Sequence, residues 1–386
     1  MSAHGLAEVG LKPPVLAAPA SRGVGLRFAV TALDRSLALV PEWAALSARS
    51  VGDNLFFHPD FALPAMRHLG RGVALASVAD GRRLVALAPF TQTRLGRIAP
   101  AARLWAHDYA PLGLPLVDET AMADAVSALV EGLAPQGSGL SLIVPDLPME
   151  GVVARALVAA ALAEGRPVDV LDGHVRAALF RGTADPRLGL ATKRRKEAGR
   201  QMRRLAEIGE VTAVVAIEPA EVRTRFEMFM QLEARGWKGK RGSALISSQV
   251  TAEFAREAVA NRAEAGAARI DSIDLGGNPI AMVVTFAAGS TAYTWKIAYD
   301  ETYARFSPGV QLMLDLPQHL FSDPTLMRID SCAAADHPMI DHLWAGRLAI
   351  GTLVIGPPGG NLLHRFGLAM ARAEIAAKEA LRRRLR

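Results

Sequence analysis

A single cysteine, Cys332, stands among 386 residues, so no internal disulfide can form and stability has to come from packing. That usage fits a reducing, cytoplasmic compartment. Aromatic side chains make up only 6% of the chain, and apolar stretches are short. The longest, 154–163 and 349–356, fall below the roughly 20 residues that cross a bilayer, so no transmembrane helix is expected. A secretory leader is equally unsupported, because Lys12 comes too late for a charged leading region and Pro13 and Pro14 interrupt an apolar core. Residues 1–23 read as a disordered Pro/Ala-rich arm. There is also no Gly-x-Ser-x-Gly elbow, no phosphate loop ending in Gly-Lys-Ser/Thr and no Gly-x-Gly-x-x-Gly fingerprint, which removes the main support for hydrolase, nucleotidase and dehydrogenase readings. His337, Asp341 and His342 lack a second cysteine or a two-histidine signature, so no metal is expected.

What the chain does have is 51% apolar and 21% charged residues over a length suited to two domains. Its formal net charge of +6 is concentrated. The run 193–204 holds seven basic residues against one acidic residue, Glu197, and the rest of the chain therefore balances. Such a run attracts an anion: cofactor phosphates, an acidic membrane face or nucleic acid. The run contains no aromatic residue for base stacking, which makes nucleic acid the weaker of these. A second basic cluster, 382–386, ends an Ala-rich helix.

Short β-rich runs alternate with helical stretches, which predicts an α/β architecture. In the first half the pattern predicts strands at 26–31, 73–79, 83–91, 140–144 and 168–171, with helices at 33–49, 121–133 and 151–164. The dipeptide Asp80-Gly81 marks a hairpin. After a basic helix at 192–209 the same order returns: strands at 211–216, 269–275, 280–287, 291–299, 327–331 and 349–355, and helices at 220–235, 251–265, after Ser307-Pro308-Gly309, and at 338–347. The helix 220–235 carries an apolar stripe of Phe226, Phe229 and Met230 that also includes Glu233.

The segment 293–314 is a strand followed by a helix. A helix beginning there offers unpaired backbone N–H groups and a positive dipole end to a phosphate. Ser307 suits the cap, Pro308 the first turn, and Gly309 allows close approach of a ligand.

These residues resemble a family. Tyr-Thr-Trp-Lys-Ile-Ala-Tyr-Asp-Glu at 293–301 followed by Ser-Pro-Gly-Val-Gln-Leu at 307–312 resembles GNAT-superfamily acyltransferases of the two-domain, FemAB-related (CelD/BcsL-type) group. Phe57-His58-Pro59, Tyr109-Ala110-Pro111-Leu112-Gly113, Lys193-Arg194-Arg195-Lys196-Glu197, Leu232-Glu233-Ala234 with Gly236-Trp237-Lys238-Gly239, and Asp336-His337-Pro338 through Leu343-Trp344 look like its recurring blocks. The resemblance spans 26–355. It implies two tandem GNAT-like domains with mixed central sheets flanked by helices: an N-terminal one at 24–180 and a C-terminal acyltransferase domain at 181–356, followed by a basic C-terminal helix at 357–386.

The resemblance further implies an N-acyltransferase that uses acyl-CoA as co-substrate, or an acyl carrier protein thioester, and passes the acyl group to an amine on a small molecule, a long-chain lipid (as in ceramide synthases) or an envelope polysaccharide sugar. Arg305, Ser307, Gly309, Val310 and Gln311 would hold the donor. They replace the usual basic residue and two spaced glycines, so an aminoacyl-tRNA donor, as in FemAB relatives, remains an alternative, as does a non-catalytic scaffold for envelope polymer synthesis. In this fold the chemistry gathers where the strand 291–299 splays from 327–331. Lys296, Asp330 and His337 are the catalytic candidates, with Asp330 a partner for Lys296, and His107, Tyr109, Trp237 and Tyr299 the substrate contacts. Strand alternation would put Tyr293, Trp295, Ile297 and Tyr299 on one face. Peripheral contact with an anionic inner membrane is expected from the two basic clusters.

Overall fold

The computed structural model describes residues 25–182 and 192–385; the arm at 1–23 lies outside them. In chain order the elements are β1 (Leu26–Ala32), α1 (Leu33–Ser36), α2 (Val40–Arg49), α3 (Pro59–His68), β2 (Ala74–Asp80), β3 (Arg83–Leu95), β4 (Ala99–Leu104), β5 (Leu116–Val117), α4 (Met122–Leu133), β6 (Ser141–Pro148), α5 (Val152–Ala163) and β7 (Val168–Phe180). They continue with α6 (Thr192–Ala206), β8 (Val211–Ala216), α7 (Pro219–Arg235), α8 (Trp237–Lys240), α9 (Gln249–Glu264), β9 (Ala268–Leu275), β10 (Asn278–Ala288), β11 (Thr291–Tyr299), α10 (Pro308–Leu320), β12 (Arg328–Asp330), β13 (Gly346–Ile355) and α11 (Leu362–Leu385). No helix among the described residues is long and apolar enough to cross a membrane.

The chain divides into two compact units, and neither is one continuous segment. The first takes the chain up to Pro59, Arg71–His174 and Ala349–Arg386; the second takes Asp60–Gly70 and Val175–Leu348. Each is a mixed α/β unit. In the first, β1, β2, β3 and β4 run antiparallel, β4 pairs in parallel with β6, and β6 pairs antiparallel with β13. In the second, β8, β9, β10 and β11 run antiparallel, β11 pairs in parallel with β12, and β12 pairs antiparallel with the end of β7. The strand order is therefore repeated, but each sheet ends on a strand from outside its own run of sequence. That is why a sequential division of the chain does not reproduce the units, and why the C-terminal helix packs on the first one.

Turn chemistry accounts for the hairpins. Gly81 adopts φ +59°, and Gly276 and Gly277 adopt φ +55° and +78°, all in the region that glycine enters without strain. Other expectations are revised. The helix at 33–49 breaks because Pro41 restarts it at the first turn of α2. Helix α3, with Pro64 inside it, is not among the helices expected from sequence. The helix at 338–347 shrinks to one 3-10 turn, Ile340–His342.

In the second unit β11 is irregular: Val284 pairs with Lys296 and Thr285 with Thr294, which leaves Trp295 as the extra residue of a β-bulge. The bulge moves Trp295 away from Ile297 and Tyr299. Its ring packs with Phe61, Phe226, Phe254 and Phe286, whereas Ile297 and Tyr299 pack with Phe306, Leu312 and Met313. The expected common face for these residues is thereby split in two.

Candidate active site

In the second unit β11 and β12 pair over only three residues, Thr291–Tyr293 with Arg328–Asp330. Strand β12 ends at Asp330, and of the cavities in this unit two share a wall. The smaller, about 350 Å³, is lined by the end of α7, by α8, by Ile297, Ala298 and Tyr299 of β11 and by His337, Pro338 and Met339. The larger, about 610 Å³, lies between α6 and the start of α10, with Lys193, Arg194, Ser307 and Val310 in its wall and Ala198, Leu314 and Leu343 in its apolar floor. Pro338 and Met339 border both.

Helix α6 forms here because Ala198 and Leu205, two turns apart, bury one narrow stripe and leave the basic residues outside. Ser307 does not cap α10. It adopts φ 52°, ψ 48° and its side chain makes no capping hydrogen bond. With Pro308 lacking an N–H, the N–H groups of Gly309 and Val310 have no partner within the helix. A cation pair and a helix N-terminus thus face one cavity, a chemistry suited to phosphate.

The smaller cavity is organised by a buried ion pair. Glu233 accepts from Lys238 Nζ at 2.8 Å and from the Leu245 N–H at 2.8 Å, and Lys238 Nζ also donates to the Ile297 carbonyl at 3.0 Å. Gly239 makes this possible, since a Cβ there would lie 1.7 Å from the Ala234 carbonyl oxygen. On the rim Trp237 is stacked by Arg241, 5.1 Å from its ring centre. His337 Nδ1 accepts the N–H groups of Met339 and Ile340, both at 3.3 Å, which leaves the proton of the neutral ring on Nε2. Burial lowers the pKa of His337, with Asp341 opposing and Lys238 assisting. A histidine held this way offers a hydrogen-bond donor rather than a free base.

Of the residues singled out from sequence, Trp237, Tyr299 and His337 meet in the smaller cavity and Ser307 and Val310 in the larger. The others do not line either. Lys296 is half-buried opposite Val284. Asp330 is buried and takes an ion pair from Arg176 at 2.6 Å and a hydrogen bond from the Cys332 N–H. Burial raises the Cys332 thiol well above its ordinary pKa, which makes it a poor nucleophile although the residue is only half-buried. Arg305 is exposed over the Phe306 ring, Gly309 sits beneath Tyr299, and Gln311 is buried with its amide donating to the Ala198 carbonyl. His107 and Tyr109 belong to the first unit, where His107 stacks on Trp105 with ring centres 4.5 Å apart. Glu233 and Lys238 were not singled out for chemistry. A carboxylate inside the Phe226, Phe229, Met230 stripe was the available signal, since an apolar face tolerates a charge only when a partner is buried with it.

Comparison with known proteins adds the following. Residues 192–337 match the family model for the acetyltransferase (GNAT) domain. No curated protein matches the chain. Among solved structures, the C-terminal domain of a putative lysylphosphatidylglycerol synthetase from Agrobacterium fabrum is 12% identical at TM-score 0.55, covering 88% of this chain and 97% of that one. L-PGS from Bacillus licheniformis is 13% identical at TM-score 0.51, covering 86% and 96%, and FemX is 10% identical at TM-score 0.51, covering 82% and 95%. At these identities the likeness is one of fold. The segment that matches the GNAT domain model carries the basic helix and most of both cavity walls.

Proposed function

We propose that the second unit transfers an acyl group from a phosphate-bearing thioester, acyl-CoA or an acyl carrier protein thioester, to an amine on an apolar acceptor such as a long-chain lipid amine. The observation that carries this is the pairing of one cavity with basic residues at a helix N-terminus and a second, mostly apolar cavity across the shared Pro338–Met339 wall. Lys193, Arg194 and the start of α10 would hold the donor phosphates. The acceptor would lie against Trp237, Ile297 and Tyr299. Its neutral amine nitrogen attacks the thioester carbonyl carbon, the carbonyl oxygen takes the negative charge, the C–S bond breaks, and the sulfur leaves as thiolate while the amide forms. His337 Nε2–H would donate to that oxygen, and Glu233, the carboxylate lining the acceptor cavity, would take the amine proton in exchange for one of its present hydrogen bonds.

A second reading, an aminoacyl-tRNA donor, draws on α6. Arg195, Lys196, Arg203 and Arg204 are exposed and line neither cavity, so the basic face extends beyond what one thioester would use. A thermal-shift panel tests the two. Free CoA, a short and a long acyl-CoA and a carrier-protein thioester should raise the melting temperature, because they bind the native state alone, and Arg194→Glu should abolish the rise. Protection by aminoacyl-tRNA with none from any thioester would favour the second reading.

A further inference from the structure

The C-terminal helix α11 presents an apolar face to solvent that nothing in the acyl-transfer reading uses. Leu362 is 69% exposed, Phe366 61%, Met370 40% and Leu381 59%. Phe366 is the one exposed phenylalanine among the described residues. The spacing 362, 366, 370 continues through exposed Ala373, Ala377 and Ala380 to Leu381, so these side chains fall in a single stripe along the helix. The opposite face is committed to the first unit: Leu368 packs with Leu95, Ala99 and Ile143, joined by Ala371 and Ile375, and buried His364 meets the Ser141 hydroxyl at 2.9 Å. The helix is therefore held by one side with its second apolar side turned outward.

Charge identifies the occupant. Arg365 and Arg372, two turns apart, are exposed along one border of the stripe, and the segment 362–386 carries seven basic residues against two acidic ones. Of the two acidic residues Glu379 lies off the stripe by helical spacing, and Glu374, on the border opposite the arginines, is paired with Arg97 at 2.6 Å. A protein groove would be served by the apolar stripe alone. An apolar stripe bordered by cations on an outward-facing helix matches the two layers of an anionic lipid surface, headgroups for the arginines and acyl chains for Phe366 and Leu362. We propose that α11 is a membrane-docking helix that lays its Leu362, Phe366, Met370, Leu381 stripe into an anionic lipid surface. This depends on the first unit only and stands whether or not the acyl-transfer reading does.

The test is co-sedimentation of the full chain with vesicles of phosphatidylcholine alone and of phosphatidylcholine containing about one third phosphatidylglycerol, at low and high salt. The expected result is retention by the anionic vesicles, weakened by salt, and a drop of about tenfold or more in the bound fraction for Phe366→Glu with Met370→Glu at unchanged melting temperature. Phe366→Trp should show a blue shift in emission on adding anionic vesicles, above the background of the five native tryptophans. Three results would overturn the proposal: no retention of the native chain, retention indifferent to the double substitution, or light scattering that shows a dimer lost on the same substitution, which would give the stripe to a second copy.

Discussion

The two units are built on the same strand order and differ at the two places where a ligand would enter. In the second unit β11 and β12 pair over three residues, and the far end of β11 lines a cavity. In the first, β4 and β6 also pair over three residues, Ala101–Arg103 with Ser141–Ile143, but the loop 105–115 turns back into the same place. It buries Ala110, Leu112 and Leu114. The ends of the helices contrast in the same way. Asp118 accepts from the Thr120 N–H and hydroxyl with one oxygen and from Arg49 and Arg83 with the other, so the first unit brings its own carboxylate to the turn that leads into α4. The second unit leaves the start of α10 uncapped, beside Lys193 and Arg194. The same strand order thus carries a folded-in loop in one unit and a candidate site in the other, and the contrast described lies in loops and caps rather than in the sheets.

The contrast can be broken from either side. The largest effect is expected for Gly113→Ala, whose Cβ would sit 2.1 Å from the Pro145 carbonyl oxygen; the filled loop has to move, at about 3 kcal/mol or more in denaturant unfolding. Gly309→Ala at the open site meets only the Tyr299 ring at 3.5 Å, and its stability should change by less than about 1 kcal/mol. Next comes Ser307→Asp, which gives the second unit the carboxylate that the first already has. Ser307 sits in a left-handed conformation that aspartate tolerates, so folding should survive while donor affinity, read by calorimetry, falls about 100-fold through charge repulsion.

Asp118→Ala should cost about 2 kcal/mol, discounted for the partial exposure of Arg49 and Arg83, with donor binding unchanged. Burial alone would raise the Asp118 pKa, but the hydrogen bonds from Arg83, Thr120 and Arg49 hold it well below the carboxylate range. Its stabilisation is present above the unfolded-state value near 3.8 and is lost as pH falls below it. Trp237→Ala removes one wall of the smaller cavity and should raise the acceptor KM about tenfold with a lesser change in kcat. The smallest effect is a pH trend. Burial pushes His107 down to about 4 from 6.5, against the pull of Asp108. The unfolded chain then binds a proton that the folded chain refuses, so unfolding midpoints should decline as pH falls from 6.5 towards 4 and be flat with respect to this group above 6.5.

Local chemistry made much of the second unit legible. Strands β8 and β11 lie where alternation put them, and the basic helix forms as the charge run indicated. What failed did so for identifiable reasons. The bulge at Trp295 shifts the alternation by one residue, and a single pairing register cannot be read from one strand. His337 Nδ1 caps the helix expected at 338–347 by accepting the N–H groups of Met339 and Ile340, but the helix stops after one turn, where Arg347 takes the carbonyls of Asp341 and Trp344. Asp330 reads as a partner for Lys296, and nothing local points to Arg176, 154 residues away in sequence, which the fold brings beside it.

By itself the sequence determined the α/β class, the turns, the basic helix and the family, because each rests on neighbours within a few residues or on a recurring string. Only the tertiary structure decided which strand completes which sheet, that Glu233 and Lys238 share a cavity with His337, that one strand opening is filled and the other open, and that α11 faces outward with an apolar stripe. Those are consequences of long-range packing, where a side chain's role is set by what the fold brings against it, and that information is distributed over residues too far apart for any local pattern to carry.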